Sequence, residues 1–273
     1  MEMLKNHIIL FDAECPMCRI YTQAFVRSGM LEGEGRAAYQ TEMEQLCPVI
    51  DRQRAVNEIA LVNTKSGEVS YGVESLFKVI GNSWPVFGPL FRFRPFAWLM
   101  SKIYAFISYN RRVIIPAGKS EVTFAYQPTF KLQYRLAWLL FTGLATGFVL
   151  TAYAHLLTGF VPIGPAWREY AVCGGQMVFQ GVVISTFARE KLWNYLGNMM
   201  TISFAGSLLL CLMLGVAHWV KLPALTFPLF FMGVAGLMFL EHIRRTGLLG
   251  LGWVMTVTWV LYRVGVLVWI MLS

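Results

Sequence analysis

From Arg135 onward the chain is a succession of long apolar stretches, and nothing else in it restricts the fold as strongly. Five can be read, at Arg135–Leu157, Tyr170–Ala188, Leu196–Trp219, Leu222–Leu240 and Leu248–Leu272. Each is close to the ~20 residues a helix needs to cross a hydrocarbon core of about 30 Å. A segment in lipid must bond its own backbone polar groups, so each is expected to be a helix. The whole chain has 273 residues, 56% hydrophobic and 14% charged, with mean hydropathy +0.54, too apolar for a single soluble core. We therefore expect an all-α transmembrane bundle of about five helices over residues 135–273. A separate domain over 1–115 precedes it, joined by a linker over 116–134 that Pro116, Gly118 and Pro128 break up.

The charge distribution predicts an orientation. The net charge is +8. Arg111, Arg112, Lys119, Lys131 and Arg135, then Arg189 and Lys191, then Arg244 and Arg245 all fall on one side of the predicted spans. Only Arg168 and Lys221 fall on the other. By the positive-inside rule this makes a multi-pass integral membrane protein with a cytoplasmic N-terminal domain and its C-terminus on the outer side. Met1–Asn6 is followed by an apolar run too short for a signal peptide, in keeping with that placement. Membrane lipids are the expected partners of the basic charge; no Lys/Arg-rich arm or nucleic-acid signature accompanies it, so nucleic acid is not.

The N-terminal domain opens on His7-Ile8-Ile9-Leu10-Phe11, a short buried strand by pattern, and runs directly into Asp12-Ala13-Glu14-Cys15-Pro16-Met17-Cys18. A Cys-x-x-Cys at the first turn of a helix exposes its first sulfur to unpaired N–H groups and the positive end of the helix dipole. That favours the thiolate and makes Cys15 the candidate nucleophile. Cys18, one turn on, is the candidate resolving thiol. Pro16 suits the first helical position. Asp12, at the end of the strand, is a candidate for proton exchange with Cys18, with a plain turn or N-cap role as the alternative. Glu14 reads as a solvated turn residue, Arg19 as a surface arginine and Cys47 as a small buried hydrophobe. Five scattered cysteines, Cys15, Cys18, Cys47, Cys173 and Cys211, do not make a secreted disulfide framework.

After the dithiol, Ile20, Tyr21, Ala24 and Phe25 share one helical face, and Gly29 ends the helix. A strand at Arg36–Tyr39 follows, then a helix over Thr41–Ile50 with a Thr41/Glu44 capping box. Glu58–Val62 and Glu68–Tyr71 form a hairpin around Asn63–Gly67, and a helix from Val73 to Ile80 closes on Gly81. The order β-α-β-α-β-β-α with a dithiol at the first strand-to-helix turn gives an α/β thioredoxin-like fold. Over about its first 115 residues the sequence resembles the DCC family, named for its D-x-x-C-x-x-C box. Asp12, Cys15 and Cys18 occupy the box, and Tyr104-Ala105-Phe106-Ile107-Ser108-Tyr109-Asn110-Arg111 is similar to the family's Y-x-x-I-x-x-N-R tail. The resemblance implies a thiol-disulfide oxidoreductase. Two departures stand out: Ala13 where the family commonly has Gly, and no proline before the strand near Glu58, where thioredoxins place the cis-proline that docks substrate. Pro48, at a helix edge, is a poor substitute.

Between Pro85 and Arg112, aromatic and aliphatic residues alternate with Arg92, Arg94, Lys102, Arg111 and Arg112. That suits a segment at an anionic membrane surface, or an extension packed on the thioredoxin-like core, or both on different faces. Within the apolar half, Cys173, Gln176 and Gln180 recur on one helical face, Cys211 lies in the third segment, and Arg263 sits inside the last with Glu169 as its candidate partner. Gly143 and Gly147 suggest close helix packing. Glu241 and His242 read as an interfacial helix end.

A zinc site would use Cys15, Cys18, Cys47 and His7, but no second paired Cys/His motif accompanies them, so no metal or other cofactor is expected. Two functional readings follow. The first is a membrane-anchored thiol-disulfide oxidoreductase of reductase type. It acts on a disulfide-containing protein or small thiol substrate and is recharged by a cytosolic reductant. The second is a transporter or transmembrane thiol relay, built on Cys173, Cys211 and the polar stripe, with the N-terminal domain as regulator or electron donor.

Overall fold

The computed structural model describes residues 2–40, 50–118 and 127–272, and the chain divides into two compact units, Met1–Tyr134 and Arg135–Ser273. The first unit is built on a four-stranded mixed sheet in the order β2-β1-β3-β4, from β1 (His7–Phe11), β2 (Arg36–Ala38), β3 (Ala60–Asn63) and β4 (Val69–Tyr71). β1 pairs parallel with β2 and antiparallel with β3, with Leu10 opposite Ala37 on one side and Ala60 on the other. The sheet is covered on both faces. Leu10, Ala37, Val56 and Val62 pack on one side, Ile9, Leu31, Leu61 and Val79 on the other. Burial on two faces is why β1 and β3 read as continuous apolar runs and not as an alternation.

Helix α1 (Pro16–Arg27) follows β1, α2 (Arg52–Asn57) precedes β3, and α3 (Val73–Ser83) follows β4. The expected Thr41–Ile50 helix, its capping box, Cys47 and Pro48 lie outside the described residues, save Ile50. Asp51 caps α2, accepting from the Arg54 N–H at 2.9 Å. The predicted stop of α3 at Gly81 is corrected: the helix passes through that glycine and ends where Trp84 meets Pro85, because a residue before proline is driven out of the helical region. A short 3-10 turn (Pro85–Phe87), α4 (Gly88–Arg92) and α5 (Arg94–Ile114) complete the unit. The inner face of α5 packs on the sheet domain: the Tyr104 hydroxyl accepts from the Ile59 N–H at 3.0 Å, and Ser108 Oγ donates to the Asn57 carbonyl at 2.6 Å.

The helical part consists of α6 (Leu132–Ala154), α7 (Arg168–Ser185), α8 (Leu192–Trp219), α9 (Thr226–Leu248) and α10 (Val254–Leu272). Four of these, all except α7, are long and apolar enough to cross a membrane. The helix expected as the second span does form, but Arg168, Glu169, Gln176 and Gln180 lower its apolarity. Among the boundaries that differ from expectation, two bear on named residues. The last helix starts at Val254, not Leu248, because Gly250 and Gly252 adopt φ of 63° and 65° and break the chain there. The fourth runs on to Leu248, which carries Glu241 and His242 into the body of the helix. The glycines of α6 allow the expected close approach: a Cβ at Gly147 would lie 2.6 Å from the Tyr170 ring of α7.

Candidate dithiol active site

The chain leaves β1 at Phe11 and turns on Asp12. The Cys15 N–H donates to the Asp12 carbonyl at 3.1 Å, and the Glu14 N–H donates to Asp12 Oδ1 at 3.1 Å. Cys15 is thereby held in extended conformation at the N-cap of α1, with Pro16 at the first helical position. Both sulfurs are free thiols, and both residues are buried, with exposures of 1% and 2%. Phe11, Ala13, Met17, Tyr21 and Ala38 pack around them.

The two thiols have opposite acidities. Cys15 is lowered to about 7, first because the Cys18 thiol donates to its sulfur, with the Cys18 N–H and the Arg111 charge adding to the effect; burial and Asp12 oppose them. Cys18 is raised well above the ordinary thiol range by donating that hydrogen bond and by burial. The Tyr21 hydroxyl also bonds the Cys18 sulfur. A nucleophile poised near neutrality and a partner that keeps its proton is the division of labour expected of an attacking and a resolving thiol.

Arg111 is the cation of the site. It is almost completely buried; one Nη reaches Asp12 Oδ2 at 3.2 Å and the Val56 carbonyl at 2.7 Å, and the other reaches the Asn57 carbonyl at 3.1 Å and Ser108 Oγ at 3.2 Å. Burial alone would favour loss of its proton, but Cys18, Asp12 and Cys15 outweigh it, and Arg111 is held charged. Arg112 adds a second contact to Asp12 at 3.3 Å and pairs with Glu14 at 3.2 Å. Glu14 is therefore a member of the ion-pair network, not the solvated turn residue its position suggests. Gln40 Nε2 donates to Asp12 Oδ1 at 2.9 Å, while Gln40 Oε1 accepts from the Ala13 N–H at 3.1 Å. Asp12 thus gathers donors from Arg111, Arg112, Gln40 and the Glu14 backbone, and it also makes the turn. Arg19 is exposed on α1.

Arg111 and Tyr104 also close the backbone ahead of β3. The carbonyls of Val56 and Asn57 go to Arg111, the Ile59 N–H goes to Tyr104, and the Ile59 carbonyl accepts from the Gly72 N–H at 2.8 Å. No cis peptide occurs among the described residues. Nothing local in the sequence marks Tyr21, Gln40 or the role of Arg111. Tyr21 stood only as a member of an apolar helical face, whereas Arg111 lay in the Y-x-x-I-x-x-N-R stretch and carried a signal of position without one of purpose. Among the described residues no cluster of three or more His, Cys, Asp or Glu side chains is placed to hold a metal; His7 Nδ1 bonds the Lys5 carbonyl.

The helical unit has a polar interior of its own. Gln180 bonds the Tyr195 hydroxyl at 2.9 Å and Thr258 at 3.3 Å; Tyr195 meets His242 Nε2 at 3.1 Å, and His242 Nδ1 meets Thr256 Oγ1 at 3.1 Å. His242 is buried and stacked on Trp259, so it is a core residue and not the interfacial helix end expected from its position. Glu241 pairs with Arg244 and Arg245, and Arg245 donates to Asn198 Oδ1 at 3.0 Å. Gln176 is buried with neither amide atom bonded. The Arg263 guanidinium lies over the Trp259 ring at 5.3 Å, with its Nε buried and unbonded. The partner expected for Arg263, Glu169, instead bonds Arg168 at 2.8 Å. Cys173 is buried and Cys211 exposed, both as free thiols in unlike surroundings.

Comparison with known proteins bears on the first unit. No curated protein and no solved structure matches the chain. A family model does: residues 9–115 match the DCC1-like thiol-disulfide oxidoreductases. That span contains the dithiol, Asp12, Gln40, Tyr104 and Arg111, and it stops one residue after α5. The N-terminal unit is therefore a DCC1-like thiol-disulfide oxidoreductase domain, joined in one chain to a helical unit with four helices able to span a membrane.

Proposed function

We propose that the protein is a membrane-anchored disulfide reductase working through Cys15 and Cys18. The observation that carries this reading is the pairing of a Cys15 thiol lowered to about 7 with a Cys18 thiol that stays protonated and donates to it. The Cys15 thiolate attacks one sulfur of a substrate disulfide, forming a mixed disulfide and releasing the other sulfur as a thiolate. Cys18 then loses its proton and attacks the Cys15 sulfur. This forms the Cys15–Cys18 disulfide and frees the second substrate thiol. The balance is one dithiol oxidised for one disulfide reduced, and a cytosolic dithiol or thiol reductant returns the two electrons. The sulfurs carry those electrons, so the cycle uses no bound metal or cofactor. In this reading Asp12 holds the Arg111 guanidinium, whose charge favours the Cys15 thiolate, and exchanges the Cys18 proton during resolution. Because both sulfurs are buried, substrate must displace the side chains over them, which suits the disulfide of a small thiol compound or an exposed, strained protein disulfide.

The excess of Arg and Lys at the ends of α6, α7, α8 and α9 supports a cytoplasmic dithiol and an outward C-terminus, with α7 as the fifth crossing. The test is trapping. Cys18→Ser incubated with a disulfide substrate should accumulate a mixed disulfide on Cys15, and the parent protein should cycle between dithiol and disulfide under a redox buffer. Failure of Cys15 and Cys18 to interconvert at any potential ends this reading.

A further inference from the structure

The outer face of α5 is chemically inverted. Tyr104, Ser108 and Arg111 point to the core, and the exposed remainder of the helix surface, where a helix on water carries polar groups, presents Trp98, Leu99, Ile103 and Ile107 around Lys102. Trp98 is 63% exposed. The segment leading into the helix continues the patch with Val86 at 79% and Phe93 at 58% exposure. This is one contiguous stretch of chain, held in shape from beneath: the Phe77 and Phe91 rings stack at 4.3 Å and Phe96 stacks on both.

The charges carried by this stretch of chain have one sign. Arg92, Arg94 and Lys102 flank the apolar residues, Lys102 lying 5.8 Å over the Trp98 ring. No Asp or Glu occurs between Glu74 and Glu121. An apolar, aromatic helical face edged with cations and free of acids complements the boundary between acyl chains and anionic headgroups. The occupant follows from the chain itself, because the same polypeptide supplies four helices able to cross a bilayer and so is never far from one.

We propose that the outer face of α4 and α5 docks on an anionic lipid surface, with Trp98 and Phe93 in the headgroup region and Arg92, Arg94 and Lys102 on lipid phosphates. The contact is separate from the thiol chemistry and would hold even if the dithiol acted in the opposite redox direction.

Hydroxyl-radical footprinting of the full chain in lipid nanodiscs reads this directly. Oxidation of each residue is normalised to that of the unfolded protein, and Ile20 on α1, which is exposed, serves as the internal control. In phosphatidylglycerol-containing discs Trp98 and Phe93 should be protected about fivefold or more relative to Ile20, as expected for side chains sunk into the interface. Protection should weaken in pure phosphatidylcholine discs. The triple variant Arg92→Glu, Arg94→Glu, Lys102→Glu should lose it while its Ile20 oxidation and Cys15 alkylation stay unchanged. Trp98 and Phe93 oxidising like Ile20 in anionic discs overturns the proposal. So does equal protection in both lipids and in the triple variant, which would mean that protein covers the face.

Discussion

Arg111 in the first unit and Arg263 in the second each have a buried Nε, and the rest of the two guanidinium groups is treated differently. Arg111 is surrounded by acceptors, with a carboxylate, two carbonyls and a hydroxyl on its two terminal nitrogens. Arg263 rests on an aromatic face and, like Arg111, leaves its Nε unbonded, and on the polar stripe of the same unit Gln176 has no partner for either end of its amide. The first arrangement fixes a charge where chemistry needs one. In the second, polar groups are held in a low-dielectric interior without full compensation, where an unmet hydrogen bond is costly. The cysteines divide the same way. Cys15 and Cys18 tune each other, whereas Cys173 and Cys211 share no environment.

The sharpest break in the comparison is at the sulfurs. Cys15→Ser should abolish disulfide reduction by the full chain, while Cys173→Ser with Cys211→Ser should leave it intact; an insulin or small-disulfide reduction assay reads both. Loss of activity in the second variant would bring back a thiol relay. Next in size, Arg111→Met leaves Asp12 buried with one cation fewer. It should destabilise the first unit by about 3–5 kcal/mol, the usual cost of breaking one side of a buried pair, seen as a fall in the denaturant midpoint of that unit. Arg111→Lys keeps the charge but not the fork, and should fall between the two.

The pH dependence is worked out from the thiol acidities. A depressed Cys15 pKa means that its thiolate persists down to about pH 7 and is lost below it. The rate of Cys15 alkylation by iodoacetamide should therefore be flat above pH 8, half-maximal near 7 and fall about tenfold per unit below that. Cys18 should stay unmodified across the same range. In Cys18→Ser the hydroxyl is a poorer match to the sulfur, and the midpoint should move upward.

The smallest effects lie in the helical unit. Gln180→Leu removes one partner each from the Tyr195 and Thr258 hydroxyls, which keep His242 and the Val254 carbonyl, and should cost about 1 kcal/mol in detergent unfolding. Gln176→Leu removes an amide that bonds nothing and should be near neutral or slightly stabilising. A large loss from Gln176→Leu would show that the amide is used in the folded protein.

Much of the first unit could be read from the sequence because its signals are local. The β1 run, the Cys-x-x-Cys at a helix start, Pro16 at its first position and the β3–β4 hairpin are each contained within a dozen residues. The helical bundle was legible for the same reason, since span length is a local property. The site around the dithiol was less so. Arg111 meets Asp12 across 99 residues and Gln40 meets it across 28, and no pattern in one sequence signals such a pairing. Arg19, four residues from Cys15, was the nearer cation, yet it faces solvent. His242 was misread because the apolar run stops at Leu240 while the helix continues, and its burial depends on Tyr195 and Thr256 from two other helices.

The pull of the Arg111 charge on the thiols has a thermodynamic consequence for the couple as a whole. The guanidinium and the Cys18 hydrogen bond stabilise a Cys15 thiolate, which exists only in the reduced protein. Whatever they contribute there is absent once the sulfurs are joined, so the reduced form is favoured and the midpoint potential moves upward, by about 30 mV for each tenfold of stabilisation. A more available nucleophile is thus obtained at the expense of reducing strength, and weakening Arg111 should slow attack while making the equilibrium dithiol the stronger reductant.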